Sequence, residues 1–149
     1  MNYRLLTISA LMGAALGIAP ALAGETPSPP GAAVYFVNLK DGDTVSSPVT
    51  IIFGLRGMGI APAGTEAENT GHHHILVDRP PLGQGPEGAD EFSANLPADE
   101  HHIHFGKGQT EAVIELGPGT HTLQLVLGDK DHIPHDPPVL SERITITVE

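Results

Sequence analysis

Gly71-His72-His73-His74-Ile75-Leu76-Val77-Asp78 begins as a histidine run and ends as an apolar strand. Successive side chains of an extended chain point to opposite faces. His72 and His74 therefore share one face, about 6.6 Å apart along the strand, and two imidazoles at that spacing can lean onto one metal ion. His73 turns the other way, with Ile75 and Val77. All three histidines cannot ligate one ion unless the strand breaks.

Outward from this stretch the chain reads as short strands separated by turns. Ala33–Leu39 is a β-rich run, and Asp41-Gly42-Asp43 is a turn. Pro48–Arg56 is a strand with its proline at the start, where the missing N–H does least harm. Gly57–Thr70 reads as a loop. Arg79–Glu100 is dense in Pro, Gly and acids, and a connection that long inside a domain is usually functional or disordered. His101–Phe105 reads as either strand or loop. Thr110–Leu116 is a strand, Gly117-Pro118-Gly119 a turn, and His121–Leu127 a strand whose Leu123, Leu125 and Leu127 share the buried face. Gly128–Pro138 is a loop, and Arg143–Val148 closes the sheet. No stretch after residue 23 has helical periodicity. The predicted fold is all-β, an immunoglobulin-like antiparallel β-sandwich of about six or seven strands.

The first 23 residues stand apart. A weakly basic start with Arg4, an apolar run from Leu5 to Pro20 and the small residues Ala21-Leu22-Ala23 form a secretory signal peptide. No cysteine follows, so it is not a lipoprotein signal. Gly24–Ala32 is Pro-rich and polar and reads as a flexible linker, leaving residues 33–149 as one domain. This predicts a periplasmic or secreted protein with no membrane insertion after cleavage. The whole chain has 7 basic and 18 acidic residues, a net charge of −11. Losing Arg4, the one charged residue in 1–23, takes it to −12. Such a surface repels nucleic acid and attracts cations. The chain has no cysteine, which excludes disulfides, thiolate ligands and cysteine nucleophiles. A Gly106–Thr110 glycine turn lacks the spacing of a phosphate loop, and no G-x-S-x-G elbow for a serine hydrolase occurs.

Eight of the nine histidines fall in three places: His72–His74, His101-His102-Ile103-His104, and His132-Ile133-Pro134-His135. In a sandwich of this type the third strand pairs antiparallel with the penultimate one. The start of Gly71–Asp78 then lies beside the end of His121–Leu127 and the loop that follows. The three clusters converge at one end, and His121 lies at the other as a core-edge residue. The candidate metal ligands are His72, His74, His102, His104, His132 and His135. Neutral imidazole suits copper(II) or zinc. Asp78, Asp99, Glu100, Glu111, Asp129, Asp131 and Asp136 are candidates to accept the other ring N–H groups.

GHHHILVD, HIHFGKGQTE, and HTLQLVLGD followed by H-x-P-H-x-P-P-V resemble the bacterial exported family called domain of unknown function 4399, over about Ser46 to Val148. Its members are small exported proteins, so the resemblance implies location and architecture. The matching positions are His72, His73, His74, His102, His104, Lys107, Gln109, Glu111, His121, Asp129, His132 and His135. The residues suggest a periplasmic metal carrier, buffer or accessory that meets a metal ion and a periplasmic or outer-membrane partner protein. Two other readings stand beside it. One is a copper-dependent oxidoreductase, although the ligand order and missing disulfide differ from copper–zinc superoxide dismutase. The other is an immunoglobulin-like interaction module without metal.

Overall fold

Alternation on a few strands sets the architecture. In the computed structural model, which describes residues 24–86 and 88–149, β1 spans Ala33–Phe36, β2 Thr44–Val45, β3 Val49–Arg56, β4 Gly59–Ile60 and β5 Thr70–Val77. They are followed by β6 at His102–His104, β7 at Glu111–Ile114, β8 at Gly119–Gly128 and β9 at Ile144–Val148. The expected signal peptide, residues 1–23, lies outside the described residues. One 3₁₀ turn at Gly88–Phe92 is the only helical element among them.

Two sheets face one another. The smaller has the order β1-β3-β7 and the larger β2-β9-β8-β5-β4, with β6 also pairing with β5. This is the immunoglobulin-like division of strands, with the third strand of the chain's long ones, β5, antiparallel to the penultimate β8 as expected. The larger sheet is mixed, because the two-residue strands β2 and β4 run parallel to β9 and β5. His101–Phe105, open between strand and loop in the sequence, is a strand at its centre.

The core is aliphatic and follows a period of two. Val49, Ile51 and Phe53 of β3 face inward while Thr50 and Ile52 face out. Ile75 and Val77 meet Leu123, Leu125 and Leu127 of β8, and Ile144, Ile146 and Val148 of β9 extend the same layer. Burial of this apolar area drives folding at roughly 25 cal/mol per Å².

The larger sheet is also covered on its outer side. Leu76 and Val126 point outward, and Leu82 and Leu96 from the 79–100 connection pack onto them. That connection therefore has its own small apolar cluster, and β5 is buried on both faces from Gly71 to Val77. Gly71 is the tight point. A Cβ there would lie 2.6 Å from the Gly128 carbonyl oxygen and 2.9 Å from both His135 Nε2 and Leu127 Cγ.

Residues 24–32 are not the free linker that their composition suggested. Ser28 N–H donates to the Asp136 carbonyl at 2.9 Å, Asp136 N–H donates back to Thr26 at 2.9 Å, and Thr26 Oγ1 donates to Asp129 Oδ2 at 2.6 Å. Pairing with the 134–137 segment overrides the proline-rich composition.

Gly71→Ala is expected to cost about 2 kcal/mol or more in urea unfolding, because overpacking here strikes backbone. Gly117→Ala is the control, since a Cβ there meets nothing within 4 Å and the cost should stay within about 0.5 kcal/mol.

Candidate metal centre

Register brings two histidines of β5 to a third from β6. His74 pairs with His104 across the β5–β6 ladder, and paired residues point to the same face. His72 lies one alternation away on β5. The three offer ligand atoms that all lie within 4.8 Å of one another. His72 Nε2 and His74 Nε2 are 3.0 Å apart, close to the ~3.3 Å between two nitrogens on one tetrahedral ion with bonds of about 2 Å.

A fourth ring closes over them from the β8–β9 connection. His132 lies 4.5 Å from His104, 5.0 Å from His72 and 5.9 Å from His74, centroid to centroid. The other ring pairs are 4.8 to 4.9 Å apart. Four imidazoles on one tetrahedral ion would have centroids about 5 Å apart. His132 reaches this position in a left-handed conformation, φ 68°, which costs a non-glycine residue about 1 kcal/mol or more. Asp129 braces the turn: its Oδ1 accepts N–H groups from Asp131 at 2.8 Å and Ile133 at 2.9 Å. Its carbonyl accepts His132 N–H at 3.0 Å, and the His132 carbonyl accepts Leu96 N–H at 2.8 Å. Burial pulls the Asp129 carboxyl upward, but its bonds from Thr26, Ile133 and Asp131 outweigh this and hold it below the usual range.

Glycines leave room for the rings. A Cβ on Gly128 would lie 2.8 Å from His74 Nε2, and one on Gly106 would collide with the His104 ring. His72 and His74 are fully buried while His104 and His132 are half-buried, so the latter two form the mouth.

Burial and mutual repulsion favour the neutral form of His72, His74 and His104. His72 is lowered to about 4, first by burial and then by His104 and His132. His74 is lowered to about 2, by burial and then by His72, His104, His132 and His102. Burial also lowers His104. Neutral imidazole is the ligating form, so His72 and His74 keep their lone pairs available well into acid.

The structure brings His72, His74, His104 and His132 together. His102 and His135, also candidates from sequence, lie outside this group. His102 shares the outer face opposite Leu76, but Arg79 donates to its Nε2, and its Nδ1–H donates to Asp99 at 2.8 Å. Both ring nitrogens are taken. His135 is fully buried on the far side of Gly71, with neither ring nitrogen hydrogen-bonded. Backbone groups of Thr26 and Pro27 lie beside it, and burial lowers its pKa. No hydrogen bond among the described residues joins the seven candidate acids to His72, His74 or His104, whose Nδ1, Nδ1 and Nε2 atoms are unpartnered. Asp78 instead bonds His121 at 2.7 Å, at the opposite end of the sheet as expected. The Asp78 bond raises the His121 pKa.

His73 faces inward with its ring 4.8 Å from that of Phe53, and neither of its nitrogens has a partner. Burial lowers its pKa to about 4.

The profile of the family described as Domain of unknown function (DUF4399) matches residues 51–149, which carry all nine histidines. No curated protein and no solved structure matches the chain.

The lowered histidines set the sign of the pH dependence. Below 6.5 the unfolded chain binds protons that the folded chain refuses. Stability of the metal-free protein is therefore full above pH 6.5 and falls as pH drops toward 4, by up to about 1.4 kcal/mol per unit for each of His72, His73 and His74. His73→Leu is expected to shallow this slope in urea unfolding measured from pH 7.5 to 5. It should also stabilise the protein at pH 7.5 by about 1 kcal/mol, because it removes two unpaired polar atoms from the core.

Proposed function

We propose that this chain, which belongs to the family of domain of unknown function 4399, is an exported protein that binds one copper(II) or zinc ion through His72, His74, His104 and His132. It serves as a carrier, buffer or accessory in the periplasm. The observation that carries this reading is the meeting of ligand atoms from His72, His74 and His104 within 4.8 Å, drawn from two strands far apart in sequence. The His132 ring, within 5.9 Å of all three, supplies the fourth donor. Export is supported by the signal-like pattern of residues 1–23.

The donor set favours borderline divalent ions. There is no thiolate in the chain and no carboxylate bonded to the three clustered rings, so calcium and magnesium have nothing to hold them. Four imidazoles leave no open position on a tetrahedral ion, which suits carriage better than catalysis.

Zinc titrated into metal-free protein is expected to bind with one-to-one stoichiometry by calorimetry and to raise Tm by mass action. His72→Ala with His74→Ala should abolish this, while His102→Gln should leave the stoichiometry intact. Because His72 and His74 resist protonation, binding should persist at pH 6 and fail on approach to pH 4. Sub-stoichiometric binding, or binding indifferent to the double substitution, would leave an interaction module without metal.

A further inference from the structure

The 79–100 connection does more than cover the sheet. It lines an open cavity of about 490 Å³, well within the range of small-molecule sites. Pro80, Pro86, Ala94, Leu96 and Pro97 supply apolar walls. A chain of polar groups fixes the inner end. Gly83 N–H donates to Glu91 at 2.8 Å, Glu91 pairs with Arg79, Arg79 donates to His102, and His102 donates to Asp99. Arg79 Nε donates to the Pro80 carbonyl at 3.1 Å. The Arg79 and Glu91 side chains are 13% and 9% exposed, so this is a buried, mutually compensated pair whose geometry is held on several sides.

That compensation decides what the cavity accepts. The positive charge of Arg79 is answered by Glu91. Asp90 and Asp99 also line the cavity, and among the described residues nothing donates to the side-chain oxygens of Asp90 or to Asp99 Oδ2. An entering carboxylate would meet three acids and an arginine already paired. An entering ammonium would meet the Asp90 carboxylate and the unbonded Oδ2 of Asp99 at the edge of an apolar cavity, in a chain of net charge −11.

We infer that this cavity is a binding site for a small organic cation with an ammonium head and a compact apolar body, its head between Asp90 and Asp99 and its body against the proline walls. The site is independent of the metal reading, since neither its charge nor its walls include His72, His74, His104 or His132.

The test uses phenethylammonium as probe and 3-phenylpropionate as its anionic counterpart, read by amide shifts of isotope-labelled protein. Saturable shifts confined to 79–102 are expected for the cation, with the anion weaker by on the order of ten-fold or more. Asp90→Asn, at an exposed position, should weaken the cation and reduce its salt dependence. Ala94→Trp, also exposed, should fill the chamber and remove binding while zinc binding is kept. The inference is overturned if the cation does not saturate at millimolar concentration, if the anion binds as tightly, or if the shifts survive Ala94→Trp.

Discussion

Strand β5 is enclosed on both faces, and the rest of the molecule is arranged around that constraint. One face carries Ile75 and Val77 into the aliphatic core. The other carries His72, His74 and Leu76 toward a layer built from the 79–100 and 129–138 segments. A buried strand normally reads as a continuous apolar run. Here three of its eight residues are histidines with no exposure. The fold accommodates them because the pairing with β8 is exact enough in register that Gly71 and Gly128 meet where a side chain would not fit.

Much of this was legible because it is local. Period-two alternation is a property of neighbouring residues, so the opposite facing of His72 and His73 follows from sequence alone. The Leu123–Leu127 face and the pairing of β5 with β8 follow from pattern and chain order. His104 followed from the same topology, although the ladder that delivers it is β5–β6 rather than the later strands.

What was not legible depends on distant partners. His102 has the same spacing to His104 that His72 has to His74, yet Arg79 and Asp99 claim both of its nitrogens. Nothing in H-x-H distinguishes a ligand from a hydrogen-bonded histidine. His132 and His135 look equivalent on either side of Pro134, but the Asp129 brace turns one toward the cluster, and the other docks under the N-terminal segment. That segment read as a linker because composition reports what a stretch can do alone, whereas Thr26 and Ser28 are fixed by residues more than a hundred positions away. The cover layer left one usable trace: Leu82 and Leu96 stand out in an otherwise polar connection.

The energetics of the cluster argue for an occupant rather than for a structural role. Rings held neutral against protonation, with buried nitrogens lacking partners, each cost on the order of 1–3 kcal/mol relative to a satisfied group. A fold selected for stability alone would fill the same space with aliphatic side chains, as Ile75 and Val77 do on the opposite face of β5 beside the single histidine His73. Leucine or valine at 72 and 74 would keep the strand pattern and remove the penalty. The arrangement makes physical sense if ring nitrogens that converge, such as Nε2 of His72 and His74 at 3.0 Å, share an ion as ligand. A divalent ion would take one nitrogen from each clustered ring, and its binding free energy would be returned to the fold. It would also tie β5, β6 and the 129–138 loop at one point, three segments that the chain otherwise holds together by hydrogen bonds and a thin apolar layer.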